Sequence, residues 1–420
     1  MREAKGLAFV LAAASALAWA AACGPAATTQ NGAGGASNAN GAAPSGAGGA
    51  TAGGYQKKTK KQGEKVYIGF SMDTLKEERW QRDKQLVEAK AAEVGAQLDV
   101  QVANGDDAVQ TKQCDNMLTK GVDVLIVAPH NGEIAASIVE KAHAAGVPVI
   151  SYDRLIKNSD VDLYVSHQVE KMGEMQGDYA LKHAPKGNYV LIGGAPTDNN
   201  ALLLRKGQMN ILKPAVDGGA VKVISDQFAK EWKAEEAQRI TEDSLTKTNK
   251  DIQAIVASND GTAGGAVSAL KAAGIPDGKV IVTGQDAQLD AVQRIAAGSQ
   301  TMTIYKPIKP LADSAVDAAV KLAYGQPIDA PDKVNNGKID VPSKLQEPQA
   351  VDKENLDATI IKDGYHKCED VYKDVPSHKC ATADAGGKPG AEGGGPKTFA
   401  ASAFAALGLL LSAFAFVRSR

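Results

Sequence analysis

From Val66 onward, short runs of β-branched and aliphatic residues alternate with longer stretches of helical spacing. The runs fall at Val66 to Phe70, Leu98 to Val102, Val122 to Val127, Val147 to Tyr152 and Leu163 to Ser166. They continue at Tyr189 to Ile192, Val221 to Ile224, Ile252 to Ala257, Val280 to Thr283 and Thr301 to Tyr305. Amphipathic stretches such as Glu77 to Val94, Asp107 to Lys120, Ile134 to Ala145, Ala234 to Thr246 and Thr262 to Ala273 separate most of them. Strands alternating with helices predict an α/β fold with parallel sheets built by right-handed crossovers. Ten strands over this length fit two doubly wound lobes better than one large sheet.

Open parallel sheets place ligands beyond the carboxyl ends of their strands. Polar and aromatic side chains stand at those ends here. Arg79 and Trp80 open the first helix after VYIGF, and Asp153-Arg154 follow VPVISY. Asp198-Asn199-Asn200 and Trp232 stand in the second half of the series. Asn259-Asp260 follow AIVAS, Gln285-Asp286 follow VIVTG, and Lys306 follows TMTIY. Two indoles suit the faces of a sugar ring, while charged and amide groups suit its hydroxyls in the ring plane. No nucleophile and base stand out among them, so the set points to capture of a neutral polyol rather than to chemistry on it.

Each residue also has a plainer reading. Trp80 and Trp232 are two of only three tryptophans and could be core aromatics, although charged neighbours flank both. Arg154 could be a solvated surface arginine. Asp153 could be a catalytic acid, but Arg154 beside it should depress its pKa and suit it to accept hydrogen bonds. Gly261-Thr262-Ala263-Gly264-Gly265 lacks dinucleotide-turn order, and Asp260 would repel a pyrophosphate, so Asp260 is expected to cap a helix. No cofactor motif is found: P-loop and H-E-x-x-H are both missing.

The 420-residue chain is long enough for two cores, and 44% apolar with 23% charged residues is ordinary globular composition. A net charge of -2 gives no support to a nucleic-acid partner. Residues 1–22 read as a secretory signal, with Arg2 and Lys5 before an apolar stretch and Ala20-Ala21-Ala22 before Cys23. Ala-Ala-Ala-Cys-Gly resembles a lipobox that would lipidate Cys23; ordinary cleavage at an A-x-A site is the alternative. Residues 23–64 read as a flexible Ala/Gly-rich tether ending in the basic run Lys57-Lys58-Thr59-Lys60-Lys61. That run is a solvated linker end or a contact for anionic head groups. Residues 368–398 form a Cys-containing segment and Gly-rich linker. Residues 399–417 form an uncharged apolar run, followed by Arg418 and Arg420, that reads as a transmembrane or sorting segment.

Export fits the cysteines. Cys368 and Cys380 lie close together in a repeated tripeptide, His366-Lys367-Cys368 and His378-Lys379-Cys380. An oxidising compartment favours a disulfide between them; a two-His two-Cys metal set is the alternative, and no metal is assigned. Cys114, on a helix, is expected to be a half-buried free thiol.

The chain resembles the bacterial periplasmic sugar-binding proteins of the ribose/galactose-binding group, and within them the xylose branch. The resemblance covers about Lys65 to Lys367. It rests on ERWQRD (Glu78 to Asp83), GVDVLIVAPHNG (Gly121 to Gly132), YDRLI (Tyr152 to Ile156) and DNNALLLRKGQM (Asp198 to Met209). VASNDGTAGGA (Val256 to Ala266), GQDA (Gly284 to Ala287), GSQTMTIYKPI (Gly298 to Ile308), NNG (Asn335 to Gly337) and IKDGYHK (Ile361 to Lys367) complete it. It implies two Rossmann-like lobes of the type I periplasmic-binding-protein fold, joined by crossings near Glu170, near Lys306 and after Gly325. Lobe 1 would comprise 65–169 and 306–328, and lobe 2 would comprise 170–305 and 329–367.

A pentose would lie between Trp80 and Trp232. Arg79, Asp153 and Arg154 would reach it from the first lobe, Asp198, Asn200, Asn259 and Asp286 from the second, and Lys306 from the hinge. Phe228 stands where relatives often carry Trp. The implied function is a monomeric, non-enzymatic substrate-binding protein that delivers D-xylose, or a related aldopentose, to an ABC permease and ATPase complex. A membrane-tethered sensor reporting to a kinase or chemoreceptor is the alternative. An isomerase or dehydrogenase would need a metal cluster or dinucleotide fingerprint, and a repressor would need an N-terminal helix-turn-helix in place of the export signal.

Overall fold

The computed structural model describes residues 55–380. The expected export signal, Cys23, most of the expected tether and the apolar run 399–417 lie outside the described residues. Among the described residues no helix is long and apolar enough to cross a membrane.

The ten aliphatic runs form β1 (Tyr67–Met72), β2 (Gln97–Val102), β3 (Val124–Val127), β4 (Val149–Tyr152), β5 (Leu163–His167), β6 (Gly187–Gly193), β7 (Val221–Phe228), β8 (Ala254–Ala257), β9 (Ile281–Val282) and β10 (Met302–Tyr305). Three further strands follow: β11 (Asp332–Asn335), β12 (Asp340–Gln346) and β13 (Gln349–Asp352). The first lobe holds a seven-stranded sheet in the order β11-β12-β5-β4-β3-β1-β2. The second holds a four-stranded parallel sheet, β7-β6-β8-β9, with a small antiparallel pair, β10 and β13, beside it. The sheets are therefore not wholly parallel: β11 runs against β12, and β13 against β10.

Helices sit on both faces of each main sheet, which is why the central strands read as unbroken apolar runs. In β3, Val124 and Ile126 turn toward Val87 and Ala91 of α1 (Glu78–Glu93) and Leu311 and Ala315 of α9 (Ile308–Ala323). Leu125 and Val127 turn the other way, toward Met117 of α2 (Asp107–Thr119) and Val139 of α3 (Ala136–Ala144). Each such side chain contributes about 1.5–3 kcal/mol on burial. The second lobe repeats the plan. Val190 and Ile192 face Ile240 of α6 (Ala234–Lys247) and Ala266 of α7 (Asp260–Ala272). Tyr189 and Leu191 face Ala180 of α4 (Val169–His183) and Leu212 of α5 (Asn199–Asp217). Where α4 and α5 meet, a Cβ on Gly207 would strike the Glu170 carbonyl oxygen.

The chain crosses between lobes three times: between His167 and Val169, between Tyr305 and Ile308, and between Gln346 and Gln349. The third crossing differs from the expected position after Gly325. Residues 329–346 stay with the first lobe because β12 pairs in parallel with β5, from Ser343 opposite Tyr164 to Gln346 opposite His167.

The end of the tether also differs from expectation. Tyr55 to Lys61 lie against the first lobe, with Lys58 N donating to Gly146 O and Lys60 N to Ala323 O, both at 2.8 Å. Tyr55 stacks on His143 with ring centroids 3.7 Å apart and donates its hydroxyl to Asp162, which also pairs with Lys57 Nζ at 2.6 Å. Cys114 is fully buried rather than half-buried, and burial pushes its thiol up to about 11. Cys368 and Cys380 have Cα atoms 5.7 Å apart and sulfurs within bonding distance.

Candidate functional site

The carboxyl ends of both sheets face one cavity of about 340 Å³, counting its open mouth. Its lining includes all ten residues that the resemblance implies, Arg79, Trp80, Asp153, Arg154, Asp198, Asn200, Trp232, Asn259, Asp286 and Lys306, while Asn199 and Asp260, also named in the sequence series, do not line it. Gln285 and Glu77 complete it.

Helix starts and strand ends place these groups. Arg79 and Trp80 sit in the first turn of α1, and the Glu77 backbone caps that helix. Asp198 is the N-cap of α5, its carboxylate accepting from Asn200 N at 2.9 Å. Asn259 caps α7 in a capping box with Thr262. Asn259 therefore takes the role expected of Asp260. Asp260 is buried in the first turn instead, accepting from Gln300 Nε2, Gln288 N and Thr303 Oγ1.

Three lining residues hold left-handed backbone: Asp153 at φ 60°, Trp232 at 57° and Asp286 at 99°. Such conformations cost non-glycine residues about 1–3 kcal/mol and persist only where the surroundings enforce them. At Asp153 the enforcement is visible. Its carbonyl accepts from Ser166 Oγ at 2.6 Å, Tyr164 Oη at 2.8 Å and Asn200 Nδ2 at 3.0 Å. Trp232 lies flat on the end of β6, where a Cβ on Gly194 would enter the indole ring.

Charges in the cavity alternate in sign. Arg79 holds Asp83 through Nε and Nη2, both at 3.1 Å, and Asp153 through Nη1 at 2.7 Å. Tyr152 Oη donates to Asp83 at 2.6 Å and fixes that carboxylate from behind. Lys306 Nζ lies 2.8 Å from Asp286 and 3.9 Å from Asp153. Arg154 pairs with Asp73 at 2.7 Å and Asp198 at 2.9 Å, so it is buried and doubly paired, not a solvated surface arginine. Both guanidinium groups lie over Trp80, 4.3 Å and 5.2 Å from the ring centroid for Arg79 and Arg154. The two indoles thus belong to the core and to the cavity at once, 2% and 8% exposed.

Burial alone would raise the Asp153 pKa, but Arg79 and then Lys306 outweigh it and hold the carboxyl well below the usual range. The direction matches the sequence reading, with Arg79 and Lys306 ahead of the adjacent Arg154 among the charges that supply it. Burial pushes Asp198 up, with Arg154 opposing. Burial also pushes His167, at the hinge, down to about 3, so its imidazole is neutral.

Three buried polar atoms on the lining have no hydrogen-bond partner among the described residues: Glu77 Oε2, Trp232 Nε1 and Gln285 Oε1. An unmatched buried polar group costs about 1–3 kcal/mol, so these atoms suit a ligand that carries both donors and acceptors. Glu77 was missed by sequence reasoning. Its only signal was a place beside Arg79-Trp80, and the adjacent Glu78 carries the same signal.

The metal alternative at the repeated tripeptides loses one of its four members, because His366 is buried with Nε2 against Ala287 O at 2.8 Å. Phe228, the noted departure, packs in the cluster that holds Trp232.

Comparison with known proteins places this architecture. Residues 68–327 match the periplasmic binding protein domain. This chain belongs to that family. It is 50% identical over 305 residues to the D-xylose-binding periplasmic protein of Haemophilus influenzae, across 73% of this chain and 92% of the relative. Identity to the D-xylose-binding periplasmic protein of Escherichia coli is 49% over 304 residues, across 72% and 92%. A carbohydrate transporter solute-binding protein from Chloroflexus aurantiacus, solved in complex with D-glucose, superposes with a TM-score of 0.69 at 32% identity. That match covers 73% of this chain and 98% of the other. The type I periplasmic-binding-protein fold is thereby shown for this family member.

Proposed function

We propose that this chain is the substrate-binding protein of an ABC sugar importer, taking D-xylose between its lobes and presenting it to a membrane permease. The observation that carries the reading is the cavity itself. It is lined by two indoles, alternating charges and polar atoms unpartnered among the described residues, gathered where the strands of the two lobes end. Support comes from the two xylose-binding relatives, which match over most of their length.

The energetics are adequate. A pentose has about ten heavy atoms, so micromolar binding at about -8 kcal/mol asks about -0.8 kcal/mol of each. The ceiling for very small ligands is about -1.5 kcal/mol per atom. Specificity follows from the same desolvation, since an epimer would leave a buried donor or acceptor unmatched. The Asp153 carboxylate, held ionised by Arg79 and Lys306, acts as a standing acceptor.

Contacts between the lobes describe a closed arrangement. Lys76 Nζ donates to Glu231 O at 3.3 Å, Leu289 N to Glu78 at 2.8 Å, and Gly132 N to Thr197 O at 3.2 Å. The Arg82 guanidinium stacks on Tyr365, 3.9 Å from the ring centroid. Closure of this kind would offer one composite surface to a permease. We further infer a Cys368–Cys380 disulfide, and an exported chain held at the membrane through Cys23 or the 399–417 run. Mass spectrometry of the mature protein reads both ends.

Titration calorimetry of the purified protein against D-xylose, other aldopentoses and aldohexoses tests the reading. Saturable one-to-one binding of xylose, tighter than of its epimers and without product formation on incubation, is the expected result. No heat with any aldopentose, or conversion of xylose to a new compound, would reject it.

A further inference from the structure

The repeated His-Lys-Cys tripeptide plays no part in the sugar cavity, and the structure treats its two copies differently. The first gives up its histidine to the Ala287 carbonyl. The second brings its histidine to both cysteines: the donor atoms of Cys368, His378 and Cys380 all lie within 4.8 Å of one another, and all three residues are partly exposed.

A second arrangement orients that histidine. The His378 ring lies flat on Tyr372, centroids 3.4 Å apart at 9°. Its Nε2 sits 3.3 Å from Asp357 Oδ2, and Tyr372 Oη donates to Asp357 Oδ1 at 2.7 Å. A metal-binding imidazole is commonly fixed in this way, by a carboxylate on one ring nitrogen that leaves the other as ligand. Here Nδ1 is the nitrogen left over.

We propose that Cys368, His378 and Cys380 form a zinc-class metal site in the dithiol state of the chain, so that disulfide and metal are alternative occupants of one loop. The exchange balances. A dithiol reductant gives two electrons and two protons to the Cys368–Cys380 bond and closes its own disulfide. The divalent ion then displaces two thiol protons, binds two thiolates and Nδ1, and takes water in the fourth position. Two thiolates and an imidazole select zinc over hard cations such as magnesium or calcium. Tetrahedral zinc sets such ligands about 3.5–3.8 Å apart, so the bonded sulfurs must part once reduced, and the histidine, within 4.8 Å of them, closes by about 1 Å at most. The chain permits that movement, because Cys380 lies in irregular coil and Cys368 opens a helix of only four residues.

The test uses the full chain, reduced with a dithiol and desalted without oxygen, titrated with zinc chloride against a chromophoric chelator. Cobalt(II) absorption reads thiolate ligation. One zinc per reduced chain, none per oxidised chain, and a thiolate-to-cobalt band are expected. Cys368→Ser with Cys380→Ser should abolish the band, leaving Cys114 and Cys23 as internal controls. His378→Ala and Asp357→Asn should each weaken zinc by about 10- to 100-fold. Equal zinc binding by reduced wild type and the double serine variant, or unchanged affinity in His378→Ala, would overturn the proposal. Should the serine variant lose its circular dichroism, reduced wild type alkylated with iodoacetamide replaces it, with the same two outcomes.

Discussion

Arg154 of the first lobe and Asp198 of the second are joined across the cleft, Nε to Oδ2 at 2.9 Å, with both side chains buried. The same guanidinium holds Asp73 at 2.7 Å, so one side chain satisfies a carboxylate on each lobe. It therefore links the two lobes from the lining of the cavity.

Replacing Arg154 by Ala should strand Asp73 and Asp198 in low dielectric. Breaking a buried pair in this way costs about 3–5 kcal/mol. We expect xylose affinity to fall well over tenfold while the fold survives, with a lower denaturation midpoint. Arg154→Lys should recover only part of the loss, since an ammonium cannot reproduce the fork that holds two carboxylates. Calorimetry beside urea unfolding checks this. Unchanged affinity in the alanine variant would remove Arg154 from the site.

Trp232 and Gly194 make a second, paired case. The indole rests on the glycine so closely that any Cβ there would occupy the ring. Gly194→Ala should therefore mimic Trp232→Ala: both lose well over tenfold affinity, and the double variant loses little more than either single one. Additive losses in the double-mutant cycle would show that the two positions act separately.

Much of this architecture was legible because its physics is local. Strands such as β3, buried on both faces by helices, must be continuously apolar, and VLIV announces itself. The cavity-lining residues were legible for a topological reason, since a polar residue after such a run falls at the carboxyl edge of a parallel sheet. What stayed hidden depends on distant partners. Strand β12 is only partly buried and carries Pro342, and only its pairing with β5, far back in the chain, makes it a strand of the first lobe. The basic run near Lys57 looks solvated until Asp162 is brought beside it. Glu77 and Glu78 are alike in sequence, yet Glu77 lines the cavity while Glu78 accepts from Leu289 N.

Lys306 and Asp286 test the electrostatic side of the site. Lys306 Nζ is 2.8 Å from Asp286 and, with Arg79, holds Asp153 ionised. A folded-state pKa below the unfolded value near 4 means that Asp153 contributes its full stability above about pH 4. That contribution is lost only as pH falls through the depressed folded value. Wild-type affinity should accordingly be flat in this carboxylate from pH 5 to 7. Lys306→Met should weaken binding and let the loss begin at higher pH, as read by calorimetry at pH 4, 5 and 7. An acid limb unmoved by the substitution would contradict the assignment.

His130 offers a switch of opposite sign, connected to the sugar site through Asp73. Its Nδ1 lies 2.9 Å from Asp73 Oδ1, and the other oxygen of that carboxylate holds Arg154. The Asp73 hydrogen bond is the largest influence and raises the imidazole above its ordinary value. Burial opposes it, the charge of Asp73 and then Asp107 adds to it, and Arg154 subtracts. A raised folded pKa gives stability that is complete below the unfolded value of about 6.5 and lost as pH climbs through the folded value. Asp73 is shifted down, so its half of the pair is intact above about pH 4. The window of full benefit therefore runs from about pH 4 to 6.5. Because His130 is partly exposed, solvent screening limits the gain to about 1 kcal/mol or less. In a chain of this size that amounts to about 1–2 °C in Tm. Thermal denaturation from pH 6 to 9 should show wild type falling relative to His130→Gln by about this amount as the imidazole deprotonates. Parallel Tm curves for the two proteins would mean that the His130–Asp73 pair carries no proton-linked stability.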